Sequence, residues 1–302
     1  YIDRSVLCRT LPYLTYLSLF SYGIAEDGSL ISPQEKEMEI LTLCRKYQTT
    51  ALLTLTSLSE SGTFSSALAN RVLTDPALQE KVVESVADAV VQMGYGGVDV
   101  DFEYIPRESA AAYAGFVGAI RKRLKPDHKV FVSAAPKVSA DQSGLLYGGH
   151  DYRLLGETAD MVLLMTYEWG YTYGPPMAVS PLPQVKRVLD YGATEIPRDK
   201  ILMGVPNYGY DWPLPYERGK TKAESLSNVE AIQRAAVRNA AIRYDDTAQA
   251  PYYTYFDRPT QANGAIEHEV WFENGRSAEA MLSLVAEYSL GGIGVWNVMQ
   301  YF

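Results

Sequence analysis

Gly97-Val98-Asp99-Val100-Asp101-Phe102-Glu103 sets three carboxylates at every second position, with Val98, Val100 and Phe102 between them. In a β-strand successive side chains point to opposite faces. The stretch therefore predicts a strand with Asp99, Asp101 and Glu103 on one face and the apolar set on the other. Carboxylates two residues apart on one face stand roughly 6 to 7 Å from each other, close enough in a poorly solvated site to raise at least one pKa by about a unit or more. Such a row can keep one acid protonated near neutral pH beside an ionised one, as general acid catalysis at a leaving oxygen requires. The same alternation also fits a half-exposed antiparallel strand with a solvated acidic face, so its surroundings decide.

Outward from this strand, further short apolar runs cover 16–20, 51–55, 130–132, 161–165, 201–205 and 292–296, mostly bounded by turn or polar residues. Helical patterns lie between them. The clearest opens at Asp75-Pro76 as N-cap and first helical residue, runs through Leu78, Val82, Val83, Val86 and Val90, and stops at Gly94. Other helices are expected near 34–47, 108–124, 182–191, 226–243 and 277–288. Near-continuous apolar strands alternating with helices predict a parallel sheet covered on its outer side. With 302 residues the expectation is an α/β fold, a (β/α)8 TIM barrel forming one catalytic domain over 1–302. One strand is missing from the count and is expected at or before Tyr1. That chain start, which is not Met, implies that processing or trimming removed a preceding segment. The GxGxxG and P-loop signatures of a doubly wound nucleotide-binding fold are absent.

From Trp212 to Phe272 the rhythm lengthens. A helix-like segment is followed by two aromatic, strand-like runs, 251–256 and 267–272, around Asn263-Gly264, which reads as a hairpin with a loop. The segment 212–272 is expected to be a small α+β insertion between strand 7 and helix 7. Loops on the C-terminal face of a barrel build the site, so an aromatic insertion there would wall a cleft.

Hydrophobic content of 47% and charged content of 21% belong to an ordinary globular protein. A formal charge of −9 with no basic run argues against nucleic-acid binding. No apolar run approaches the roughly 20 residues that span a bilayer, so no membrane partner is expected. Two cysteines, Cys8 and Cys44, exclude a disulfide-dense scaffold, and buried free thiols are the default. A monomer is expected.

Strand ends carry polar or aromatic residues: Ser21-Tyr22, Glu103-Tyr104, Thr166-Tyr167-Glu168-Trp169, Asn207-Tyr208 and Trp296-Asn297. In a parallel barrel these converge on one mouth. Tyr and Trp around carboxylates match pyranose binding, with flat rings on apolar sugar faces and acids on hydroxyls. Tyr22, Glu168, Asn207, Tyr208 and Trp296 are therefore candidate substrate-binding residues. With 23 Tyr in the chain, some fall near a strand end by chance.

The segment 95–103 resembles the D-x-x-D-x-D-x-E signature of glycoside hydrolase family 18, the chitinase-like family. Met165-Thr166-Tyr167 is similar to that family's Met-x-Tyr strand, and the resemblance implies Met165 as a substrate-binding residue. Gly204-Val205-Pro206-Asn207-Tyr208-Gly209 is similar to its Gly-x-Pro-x-Tyr-Gly strand, and 291–296 to its terminal Gly-Gly-x-x-x-Trp strand. The motifs stand in the family's order and cover most of the chain. Two positions depart from the pattern: the signature's first Asp is Gly96, and the Asp that often follows the Met-x-Tyr tyrosine is Glu168. These departures, with Phe20-Ser21-Tyr22, Tyr255-Phe256-Asp257 and the run 270–277, look most like the spore-cortex-lytic and germination-associated branch. Members of that branch often carry LysM modules, and none is apparent here.

The resemblance implies an enzyme in which the substrate's own 2-acetamido oxygen attacks the anomeric carbon. On that reading Glu103 protonates the leaving oxygen and later activates water. Asp101 orients the acetamido group, Asp99 shares a proton with Asp101, and Tyr167 donates to the acetamido oxygen. The implied substrate is an N-acetylated glycan, peptidoglycan or a chitin oligomer, and the implied location is extracellular, at a cell wall or spore. No metal or organic cofactor is implied, and the chain's three His lie outside these motifs. Two other readings stay open: a chitinase-like sugar-binding protein that has lost catalysis, and an unrelated barrel whose acids hold Mg²⁺.

Overall fold

The computed structural model describes residues 2–33, 36–59, 61–257 and 264–300. The chain forms two compact units, one of Tyr1–Leu164 with Tyr191–Leu202, the other of Met165–Asp190 with Met203–Phe302.

In the first unit the strands are β1 (Tyr16–Ile24), β2 (Leu30–Ile31), β3 (Thr50–Thr56), β4 (Gly97–Asp101), β5 (Lys129–Ala134) and β6 (Met161–Leu164). They lie in the order β6-β5-β4-β3-β1-β2, parallel except for β2 against β1. Helices α1 (Arg4–Thr10), α2 (Glu37–Tyr47), α3 (Ser66–Thr74), α4 (Pro76–Met93), α5 (Ala110–Arg123) and α6 (Tyr152–Thr158) alternate with them. The capping read from sequence accounts for α4. The Asp75 carboxylate accepts from the Ala77 and Leu78 amides, Pro76 opens the helix, and Gly94 closes it at φ 76°. Val82, Val86 and Val90 form its buried stripe.

Strand β4 obeys the alternation. Val98, Val100 and Phe102 are fully buried, and the Phe102 ring stacks on Tyr113 and Phe116 of α5 at 5.9 and 5.5 Å. Each such side chain contributes about 1.5–3 kcal/mol by leaving water, which anchors the strand and leaves the opposite face to the acids. Register sets Thr54 beside Asp99 and Thr56 beside Asp101. The strand opens at Gly97 because a Cβ there would lie 2.0 Å from the Lys129 carbonyl oxygen.

The second unit holds β8 (Tyr208–Pro213), β9 (Glu224–Ser227), β10 (Arg243–Asp245), β11 (Ala250–Phe256) and β12 (Glu267–Trp271), an antiparallel sheet in the order β10-β11-β12-β8-β9. It also holds α8 (Asn228–Arg238), α9 (Gly275–Tyr288) and β13 (Gly292–Trp296), while β7 (Ile201–Pro206) and α7 (Leu182–Glu195) are divided between the units. The sheet opens at Tyr208, ahead of Trp212. Gly209 permits this, since a Cβ there would meet the Trp271 carbonyl at 2.3 Å. The aromatic runs on either side of the expected hairpin pair antiparallel, Tyr252 opposite Trp271 and Phe256 opposite Glu267. Asn263 of the expected turn lies outside the described residues. The helix expected over 226–243 is shorter: Ser227 and Glu230 form a capping box, and Asn239 ends it in the left-handed region, so 243–245 is free to form a strand.

Cys8 and Cys44 are free thiols. Among the described residues no helix is long and apolar enough to cross a membrane.

Candidate active site

In the first unit Asp99 and Asp101 stand on the polar face of β4, and Glu103 follows beyond its end. Asp99 is buried and accepts from the Ser18 hydroxyl at 2.7 Å and the Ser133 hydroxyl at 3.5 Å. Burial raises its pKa, and the two serine bonds oppose the rise. Asp101 is pushed well above the carboxylate range, first by burial and then by the charges of Glu103 and Asp99. Its Oδ1 is buried and has no hydrogen-bond partner among the described residues. A buried carboxyl with one unused oxygen, flanked by two further carboxyls, has an acceptor free for a polar hydrogen.

Glu103 is half-buried. The chain turns sharply after it: Tyr104 adopts φ 57°, and its carbonyl accepts from Ser66 at 2.8 Å. Phe102, between the acids, is outside the strand ladder, and its amide donates to the Tyr113 hydroxyl at 3.4 Å.

Tyr22 is not with the acids. A β-bulge between Leu19 and Tyr22 aligns Tyr22 with Leu55, which is itself aligned with Val100, so its ring stands on the face opposite to Asp99 and Asp101. Its hydroxyl donates to Glu37, which also accepts from Tyr95 at 2.6 Å. At Gly96, the position of the signature's missing Asp, a Cβ would lie 2.3 Å from the Thr50 methyl, so Thr50 fills the room an aspartate would need.

The second unit gathers the other candidates. Tyr208 and Tyr210 donate their hydroxyls to Glu168 at 2.6 and 2.9 Å. Atoms crowding the Glu168 carboxylate raise its pKa, and the two tyrosines hold it back, although the residue keeps open surface. Glu168 itself sits at φ 67°. Tyr167 packs against the aromatic cluster of Tyr208, Tyr210, Trp212 and Trp271, and Met165 is half-buried, its carbonyl accepting from the Tyr167 amide at 2.8 Å. Asn207 is buried with its amide fully engaged. It donates to the carbonyls of Asn297 and Gln300 at 2.9 and 3.0 Å and accepts from the Asn297 amide at 3.0 Å. It therefore anchors the chain that follows Trp296, a residue that is 40% exposed.

Ser18, Ser133, Tyr113 and Tyr210 complete these clusters and were not singled out by motif. Ser133 carried a local signal, a lone hydroxyl in an apolar strand, whereas Ser18 shares its strand with Ser21 and two tyrosines. Tyr113 carried none, because its helix spacing is that of a core residue. Among the described residues no three His, Cys, Asp or Glu side chains are grouped as metal donors.

A family model described as Glycosyl hydrolases family 18 matches residues 4–300. The chain is 40% identical over 288 residues to the cortical fragment-lytic enzyme of Bacillus subtilis (strain 168), an alignment that covers 95% of this chain and 65% of that protein. It is 38% identical over 287 residues to the cortical fragment-lytic enzyme of Bacillus anthracis, again 95% of this chain and 65% of that protein. This chain thus spans 65% of the length of these curated relatives. It is also similar to the crystal structure of the Bacillus cereus spore cortex-lytic enzyme SleL, with a TM-score of 0.93 and 36% identity over 100% of this chain and 69% of that one. The fold class is accordingly the α/β TIM barrel read from the sequence.

Proposed function

The chain belongs to glycosyl hydrolase family 18, and on that premise we propose that it is a retaining glycoside hydrolase that cleaves β-1,4 bonds after N-acetylglucosamine in cortex-type peptidoglycan. The observation that carries this reading is the unsatisfied, buried Oδ1 of Asp101 between Asp99 and Glu103. The names of similar proteins, cortical fragment-lytic enzyme and spore cortex-lytic enzyme, support a cortex substrate and a spore setting.

The chemistry follows from the three acids. Glu103, protonated, donates to the glycosidic oxygen as the C1–O bond breaks. The substrate's acetamido carbonyl oxygen attacks C1 from the other face, closing an oxazolinium ring and leaving Glu103 as a carboxylate. Asp101 receives the acetamido N–H on Oδ1 and stabilises the ring's positive charge, passing its own proton toward Asp99. Placing a carboxylate where positive charge develops, in a poorly solvated site, is worth a few kcal/mol of barrier. Glu103 then takes a proton from water, which opens the ring at C1 and restores the starting anomeric configuration. The motif resemblance, rather than geometry, assigns Tyr167 to the acetamido oxygen and Met165, Glu168, Tyr208 and Trp296 to the sugar.

Digestion of purified cortex peptidoglycan and of chitin oligomers, followed by mass spectrometry of borohydride-reduced products, tests the reading. Products ending in reduced N-acetylglucosamine are expected from the wild type. Glu103→Gln should lower the rate by about 10²–10⁴-fold while still binding the glycan. A Glu103→Gln protein with full activity, or a wild type that binds glycan and releases nothing, would overturn the proposal; the second result favours a sugar-binding protein.

A further inference from the structure

We propose that His150 is a positioning residue for Glu103, clamping the backbone of Phe102 between the two acids so that Glu103 leaves the strand in one direction. This rests on the functional reading above.

Strand β4 ends at Asp101, so Phe102 has no ladder partner, yet it is fully buried and its polar groups must be paired. The Phe102 carbonyl pairs with His150 Nε2 at 2.9 Å across 48 residues of sequence. The other ring nitrogen, Nδ1, accepts from the Ala135 amide at 2.8 Å. That bond requires Nδ1 to be bare, so the ring proton resides on Nε2 and is donated to Phe102. Both nitrogens are thus used, each in the only role its neighbour allows.

The imidazole is itself held. His150 is completely buried, and its ring lies 5.7 Å from that of Tyr113, which meets the Phe102 amide. Its own carbonyl accepts from the Lys137 ammonium at 2.9 Å. The Tyr152 hydroxyl ties the base of this brace, donating to the Ala135 carbonyl at 2.6 Å and accepting from the Lys137 amide at 2.8 Å. Burial holds the imidazole neutral by lowering its pKa to about 4. The brace therefore runs from the exit of β5 to the residue joining Asp101 to Glu103. A histidine that merely filled space would not need two oppositely directed bonds to separate backbone segments. Loss of the Phe102 bond would free the peptide that carries Glu103, and misplacement near 1 Å at a reacting group costs up to about 10²-fold in rate.

The test compares wild type, Glu103→Gln, His150→Phe, His150→Asn and His150→Gln on a soluble N-acetylated glycan oligomer, with kcat and KM measured separately and folding checked by circular dichroism. His150→Phe keeps a ring beside Tyr113 and loses both bonds. His150→Asn keeps a polar group that reaches only one partner, so it stands in if the phenylalanine variant does not fold. Both are expected to lose about 10- to 100-fold in kcat with KM within about twofold. His150→Gln, with an oxygen and an NH₂ at similar separation to the ring nitrogens, is expected to recover most of kcat. Wild-type kcat in His150→Phe or His150→Asn, beside an inactive Glu103→Gln, overturns this inference alone, as does a kcat in His150→Gln as low as in His150→Phe. A wild type without activity overturns the functional reading and this inference with it.

Discussion

Replacing Glu273 with Gln should change how stability depends on pH. Glu273 is 4% exposed, it precedes the N-cap of α9, and its Oε1 has no hydrogen-bond partner among the described residues. Burial raises its pKa to about 8, against a smaller opposing effect of Ser277. In the unfolded chain the carboxyl returns to its ordinary value of 4.5. Between these values the native chain keeps a proton that the unfolded chain has released. The associated stability is therefore complete below the unfolded pKa and is lost as pH rises through the native one, at about 1.4 kcal/mol per pH unit. From about pH 5.5 to about pH 8 the loss amounts to about 3 kcal/mol. Gln keeps the shape and stays neutral, so Glu273→Gln lacks this slope. Urea unfolding of both proteins at the two pH values isolates the contribution, because every other titrating group is common to both and cancels in the difference. The expected result is that the variant gains about 3 kcal/mol on the wild type between the acidic and the alkaline measurement. Parallel pH dependences in the two proteins would refute the reasoning.

In the second unit, Asp211 is 2% exposed and accepts from Arg234, from Tyr255 at 2.6 Å and from His268 at 2.7 Å. Asp211→Ala takes this shared acceptor from Tyr255 and His268 and leaves Arg234 with Glu224, and it should cost about 3–5 kcal/mol, seen as a lowered thermal midpoint; an unchanged midpoint would show the cluster to be dispensable. In the first unit, Gly96→Asp would restore the carboxylate that the family signature carries, but against the Thr50 methyl. A loss of about 1–3 kcal/mol in urea unfolding is expected, largely recovered in the double variant with Thr50→Ser. Failure of the second change to help would mean that the Thr50 contact is not the obstacle.

What could be read from the sequence stops where local periodicity stops. Asp99 and Asp101 were legible because β4 keeps strict alternation through both, and its apolar face, with Val98 and Val100 fully buried, fixes the register. Tyr22 misled because one extra residue in β1 inverts the alternation, and a bulge leaves no mark in an apolar run. Asn207 stood in a strand-end motif, as a sugar-binding residue would, yet its amide holds the backbone after Trp296. Tyr113 and His150 had no local signature at all, since each acts on Phe102 from a different element.

These differences share a cause. A strand positions side chains cheaply and predictably only while its ladder lasts, and the proton donor proposed here lies two residues past the last ladder residue, Asp101. Beyond that point the backbone must be held by groups distant in sequence, and the more the reaction depends on Glu103's direction, the more such groups are needed. Here the Phe102 ring is gripped by α5, its amide meets Tyr113 and its carbonyl meets His150. The acids are thus written in one short motif, whereas the groups that hold the peptide after Asp101 come from Tyr113, Phe116 and His150, far enough along the chain that only the folded structure brings them together.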